Sequence, residues 1–190
     1  MLNKKIAFLG GGNMAEALIK GMLSADVAKS RQMVVTDTSP ARLAYLKKYN
    51  ITTAKNNQAA VQQAEIVLLC VKPQVMDSVL TEIAPAAGMS KLVISIAAGI
   101  TITRIEKALT ANPRVIRVMP NTPALVLSGA AGLAKGSKAS DEDMALALEI
   151  FGAVGRAVVV DEKLMDAVTG FQGAALLLCL RSSRRCPMQG

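Results

Sequence analysis

Lys5-Ile6-Ala7-Phe8-Leu9-Gly10-Gly11-Gly12-Asn13-Met14-Ala15 is the stretch on which the fold of this chain turns. An apolar run meets three glycines, and an amphipathic segment carrying Ala17, Leu18, Met22 and Leu23 follows. A strand that turns through glycine into a helix can hold a pyrophosphate. The first glycine permits the tight turn, the second lets backbone approach the phosphates, and a small third residue lets the helix close on the strand. Gly10, Gly12 and Ala15 occupy those places. The following helix then aims free N–H groups and its positive dipole end at the ligand. Leu9, Gly10, Gly11, Gly12, Asn13 and Met14 therefore form a candidate dinucleotide cradle. The competing reading is a glycine turn joining any strand to any helix.

Beyond the loop, strand-like and helix-like stretches alternate. Strands are expected at Lys5–Leu9, Met33–Thr36, Ile66–Val71, Leu92–Ile96, Val115–Val118 and Ala157–Val160. Helices are expected at Asn13–Leu23, Pro40–Lys48, Asn57–Ala64, Pro73–Ile83, Thr101–Leu109 and Ser140–Val154. Valine- and isoleucine-rich strands without polar alternation indicate a sheet covered on both faces. Repeated βα units of this length imply an α/β fold with a doubly wound, mostly parallel sheet. Ser39-Pro40 and Ser140-Asp141-Glu142-Asp143 carry helix-start signals.

Composition narrows the chemistry. The 190 residues are 52% hydrophobic and 3% aromatic, without tryptophan. No apolar run reaches the roughly 18 residues of a membrane span, and no secretory signal is expected before the first strand. A net charge of +8 admits anionic partners. No basic run is interleaved with aromatics, so neither nucleic acid nor a membrane is expected. There is no histidine, and the three cysteines, Cys70, Cys179 and Cys186, lack metal spacing. No metal site is expected, and a cytoplasmic location suits a free Cys70 in an apolar strand. Chemistry must come from a cofactor, lysine, carboxylates, hydroxyls or backbone dipoles.

Asp37 ends the second strand, where such folds read the adenosine ribose. A carboxylate there favours a free 2′-hydroxyl. Thr38, Ser39 and Arg42 follow, and hydroxyls with a guanidinium suit a 2′-phosphate. The two signals conflict.

Three further strand ends complete the pattern: Val71-Lys72-Pro73, Ser95-Ile96-Ala97-Ala98-Gly99 and Met119-Pro120-Asn121-Thr122-Pro123. Ligands of open α/β sheets bind at such carboxyl ends. With the glycine loop, and continuing through Asp166-Ala167-Val168-Thr169-Gly170, these segments resemble the pyrroline-5-carboxylate reductase family from about Lys4 to Gly170. The resemblance implies a Rossmann-like domain and hydride transfer from NADPH, with NADH as alternative, to the imine carbon of 1-pyrroline-5-carboxylate, giving L-proline. It implies that Leu9 to Met14 hold the pyrophosphate, that Thr38 and Asn57 face the adenosine half, where the strand-end reading also sets Asp37 and Arg42, and that Val71, Lys72, Pro73, Ala97, Ala98 and Gly99 frame the nicotinamide and its ribose. Lys72, Asn121 and Thr122 would lie near the reacting face. A protonated imine is already electrophilic, so placement at about 3–3.5 Å and exclusion of water can suffice. Two other readings are a nucleotide-binding module without catalysis and a different Rossmann dehydrogenase.

After Gly170 the resemblance ends. The family continues with a glycine–serine loop and an all-helical dimerisation domain, whereas this chain runs from Phe171 to Gly190 with Arg181, Arg184 and Arg185. For suitably chosen codons, one displaced reading frame across Ala174–Leu177 and Ser182–Gln189 restores Gly-Pro-Ala and a Glu-Ala-Leu segment, so a frameshift is expected. The expected division is a cofactor domain at 1–162 and, at 163–190, the start of a helical domain with an aberrant tail. The apolar residues Leu164, Met165, Val168 and Phe171 would then stand exposed or pack on Leu176–Leu180. The family's homo-oligomer would be compromised, and the chain is expected to be inactive as a reductase.

Overall fold

A computed structural model of the protein describes residues 2–165. Asp166–Gly170, Val168, Phe171 and the altered tail lie outside them. Eight strands form one sheet: β1 (Ile6–Leu9), β2 (Met33–Thr36), β3 (Thr52–Thr53), β4 (Ile66–Leu69), β5 (Leu92–Ser95), β6 (Arg114–Pro120), β7 (Gly129–Lys135) and β8 (Gly155–Val159). Their spatial order is β3-β2-β1-β4-β5-β6-β7-β8. Every pairing is parallel except β6 with β7. The helices are α1 (Asn13–Ser24), α2 (Pro40–Leu46), α3 (Asn57–Gln62), α4 (Met76–Ile83), α5 (Ile102–Ala108) and α6 (Asp141–Gly152).

The period-2 geometry of a strand sends successive side chains to opposite faces. Ile6 and Phe8 of β1 join Leu18, Ile19, Met22, Leu46 and Phe151 in one core, beneath α1, α2 and α6. Ala7 and Leu9 join Val61, Leu80, Ile83 and Ile105 in the other, beneath α3, α4 and α5. Both faces are covered, as the unbroken apolar strands require. Chain order reverses between β1 and β4, so helices depart on opposite sides there and leave a crevice at the carboxyl ends of the strands.

Two strands escape a reading of the sequence. β3 is a two-residue edge. β7, Gly-Ala-Ala-Gly-Leu-Ala-Lys, has no β-branched residue, yet six of its seven positions are buried. Its small side chains are a packing requirement. A Cβ on Gly132 would stand 3.2 Å from the Val160 side chain, and one on Gly129 would stand 2.8 Å from Ala124. Tertiary contact sets this strand against its weak intrinsic preference.

The segment after β8 stays attached to the sheet. Val160 N–H donates to the Leu133 carbonyl at 2.8 Å, and a 3-10 turn covers Glu162–Leu164. Of the apolar group expected to be exposed, Leu164 is 54% exposed, but Met165 is fully buried in the α3–α5 core. Met165 corrects that expectation: its thioether finds a place against Gly132, where no side chain intervenes.

Replacing Gly155 by alanine should test how closely β7 and β8 are locked. The new Cβ would lie 2.0 Å from the Gly129 carbonyl oxygen. Gly155→Ala is expected to cost about 3 kcal/mol or more, read as a lowered urea midpoint, because backbone rather than a flexible side chain must yield.

Candidate functional site at the carboxyl end of the sheet

The glycine loop is held from three directions. Gly10 has φ +95°, and a Cβ there would sit 2.6 Å from the Cys70 carbonyl oxygen. Only glycine supplies both the conformation and the clearance. Gly10 N–H donates to the Thr36 carbonyl at 2.9 Å and Cys70 N–H to the Leu9 carbonyl at 2.8 Å, so the loop continues the sheet before it turns. Gly11 N–H donates to Asp37 Oδ2 at 2.8 Å, while Asp37 Oδ1 accepts the Ser39 N–H at 2.8 Å. Asp37 thus binds the loop to the end of β2.

Arg42 holds the same loop from the α2 side. Its Nε donates to the Gly11 carbonyl, and its Nη2 to the Gly12 carbonyl at 3.3 Å and to Glu16 Oε2 at 2.6 Å. In a planar trans peptide the N–H points opposite to the C=O. Arg42 therefore faces the Gly11 and Gly12 carbonyls, and the N–H groups of Gly12 and Asn13 point away from it. Asp37 and Arg42 thus both hold the loop, the carboxylate taking a loop N–H and the guanidinium taking loop carbonyls.

Glu16 anchors this arrangement, and nothing in the sequence marks it beyond an acid in the first turn of a helix. It accepts from Arg42, from Tyr49 Oη at 2.8 Å and from Lys48 Nζ at 3.1 Å. Burial opposes its ionisation, but hydrogen bonds from Arg42, Tyr49, Lys48 and Tyr45 prevail and lower its carboxyl to about 2. Lys48 also lies 3.6 Å from the Tyr45 ring centroid.

Gly12 N-caps α1 with extended backbone and no side-chain cap, whereas α2, α3, α5 and α6 are capped by Ser39, Asn56, Thr101 and Ser140. The first N–H groups of α1 are left for an external acceptor. A Cβ on Gly12 would meet no atom within 4 Å, so this edge of the loop opens into the crevice. Leu9 closes its floor, Asn13 is exposed and Met14 half-buried. An uncapped helix end beside a bare glycine fits a pyrophosphate.

The other expected residues lie along the same end of the sheet. Thr38 is exposed after β2. Asn57 is engaged by protein: Oδ1 accepts from Thr36 Oγ1 at 2.6 Å, and Nδ2 donates to Glu82 Oε2 at 2.7 Å. Lys72 is exposed, the N-cap of the 3-10 turn Pro73–Val75, with Val71 and Pro73 half-buried beside it. Ala97 is buried, Ala98 half-buried and Gly99 exposed at φ +72°. Asn121 Oδ1 accepts the Ala130 N–H at 2.8 Å, which braces the Pro120 turn against β7, and Thr122 is exposed. Burial pushes the Cys70 thiol up to about 12, so no thiolate nucleophile stands under the loop at neutral pH. A cavity of about 550 Å³ lined by Lys4, Lys5, Arg31 and Lys91 lies at the opposite, amino-terminal edge of the sheet. Its position is wrong for a switch-point ligand. Among the described residues no helix is long and apolar enough to cross a membrane.

The chain is similar to known proteins in sequence and in fold. Residues 5–99 match the family model described as NADP oxidoreductase, coenzyme F420-dependent. Pyrroline-5-carboxylate reductase of Methanosarcina acetivorans is 43% identical over 175 residues, 92% of this chain and 65% of that protein. The Haemophilus influenzae enzyme of the same name is 42% identical, with 92% and 65% covered. Among solved structures, a Coxiella burnetii pyrroline-5-carboxylate reductase superposes with a TM-score of 0.86 at 32% identity, over 95% of this chain and 69% of that one. Plasmodium falciparum pyrroline carboxylate reductase, solved with NADP bound, gives 0.82 at 30% identity, over 96% and 68%. The chain spans about 65% of the length of the two curated relatives named here.

The ion network at Glu16 has a pH signature. A carboxyl held near 2 when folded and near 4.5 when unfolded contributes stability that is present above pH 4.5 and is lost as pH falls toward 2. In urea unfolding at pH 6 and pH 3, the wild type should lose more stability over that interval than Glu16→Gln, which has no proton to take up there.

Proposed function

Since this chain belongs to the pyrroline-5-carboxylate reductase family, we propose that it binds NADPH across the β1–β4 crevice and serves the reduction of 1-pyrroline-5-carboxylate to L-proline. The observation that carries the reading is the open face of Gly12 at the uncapped start of α1. When bound, the reduced nicotinamide supplies the hydride that the carbon of the C=N bond accepts. The residues of this chain bind, orient and exclude water. The N–H groups of Gly12 and Asn13 receive the pyrophosphate, and Leu9, Gly10, Gly11 and Met14 shape the loop around it. Thr38 and Arg42 lie at the adenosine end beside Asp37, and Asn57 buttresses that end through Thr36. Arg42 would exchange one of its loop or Glu16 contacts for a 2′-phosphate, at little cost to a five-donor group. Val71, Lys72 and Pro73 on one side and Ala97, Ala98 and Gly99 on the other frame the nicotinamide end. Asn121 and Thr122 lie on the neighbouring strand end, and exposed Lys72 can face the substrate carboxylate. No histidine is present to act as general acid, and an imine that arrives protonated needs none.

In this reading the sheet unit, residues 1–162 as the sequence divides it, is the cofactor domain. A second reading is a dinucleotide-binding module without turnover, since the open face of Gly12 at the start of α1 bears on cofactor binding alone.

Gly12→Val tests the site with little disturbance of the fold, since the added Cβ meets no atom within 4 Å. Its thermal midpoint should stay within about 2 °C of wild type. NADPH affinity by calorimetry should fall at least about tenfold, because the side chain occupies the place of the phosphates. Unchanged affinity removes the proposed cradle. Assay of the 190-residue chain with NADPH and pyrroline-5-carboxylate separates the two readings: binding with turnover selects the reductase, and binding alone selects the module.

A further inference from the structure

Arg117 is the largest fully buried side chain among the described residues, on a β6 face otherwise lined by Val115 and Met119. Its Nη1 lies 3.3 Å from Glu162 Oε1. The same oxygen accepts the Ile102 N–H at 2.8 Å. One carboxylate therefore joins three segments: β6, the first residue of α5, and the 3-10 turn Glu162–Leu164 that follows β8.

Those attachments flank the two turns assigned to the nicotinamide end. Arg117 precedes Pro120-Asn121-Thr122 on the same strand, and Ile102 follows Ala97-Ala98-Gly99. Arg117 is also in register with Ser95, whose Oγ accepts the Ala97 N–H at 3.3 Å. We propose that Glu162, acting with Arg117, is a positioning residue that sets the spacing between the Ala97–Gly99 and Pro120–Thr122 turns. It thereby sets the nicotinamide end of the site, while the adenosine end is held separately by Asp37, Arg42 and Glu16. The inference rests on the dinucleotide reading above. Arg117 is buried and Glu162 half-buried, and an ion pair withdrawn from water is a poor route to stability, since apolar residues of similar volume often serve as well or better. What a charge pair adds is a defined geometry, and here that geometry links the Ala97–Gly99 and Pro120–Thr122 turns to the Glu162–Leu164 turn.

The test compares two nucleotides on the 190-residue chain. Adenosine 2′,5′-bisphosphate reaches only the adenosine end, whereas NADPH spans both. Glu162→Gln retains an oxygen for the Ile102 N–H but loses the charge facing Arg117. Calorimetry should give an unchanged bisphosphate affinity, within about twofold, and an NADPH affinity weakened about tenfold. Equal weakening of both, or of neither, overturns the inference. Hydrogen exchange on the wild type supplies a check that needs no variant: NADPH should protect the Ala97 and Ile102 amides and the bisphosphate should not. Equal protection by the two also overturns it. A wild type that binds neither nucleotide removes the dinucleotide reading and this inference together.

Discussion

The contact between Gly10 and the β4 backbone at Cys70 is the constraint from which the rest follows. β1 and β4 are neighbours whose following helices leave on opposite faces, and the chain after β1 must turn within the width of one strand. A side chain at Gly10 would collide with the Cys70 carbonyl, so the loop can lie flat across the strand ends only because none is there. With the loop seated, α1 starts over the crevice, and its first N–H groups face the space that a ligand would fill.

A loop of three glycines has little intrinsic order, since glycine loses more conformational freedom on folding than any other residue. The protein offsets this with side chains drawn from β2, α1 and α2. Asp37 takes one amide, Arg42 takes two carbonyls, and Glu16 holds Arg42. The loop is thereby organised by charge on its β2–α2 side. Preorganisation of this kind lowers the ordering cost that binding must otherwise meet.

The opposite end of the site is organised differently. Asn121 is braced by β7, and the turns at Gly99 and Pro120 are tied through Ile102 and Arg117 to Glu162. β7 makes this possible by being small: its glycines and alanines let the Val160–Met165 segment cross the sheet closely enough for Met165 to be buried and Glu162 to reach inward. The segment after β8 is thus packed as part of the sheet unit.

Much of the architecture is legible in the residues themselves. Unbroken Val/Ile/Leu runs separated by capped helices specify a two-faced parallel sheet, and the glycine loop, Val71–Pro73, Ala97–Gly99 and Met119–Pro123 all stand at strand ends where ligands bind. These are local signals, set by periodicity, capping and backbone freedom. β7 was not legible, because glycine and alanine carry no strand preference and the strand exists only through its neighbours. Nor were the partners of the charges. The sequence alone leaves Asp37 and Arg42 in contradiction and Glu16, Arg117 and Glu162 without a role. Those partners lie 26 to 60 residues apart in the chain, and only the packed sheet brings them within hydrogen-bond reach. Charge has no periodicity to read: its meaning depends on which opposite charge, or which backbone group, the fold sets beside it.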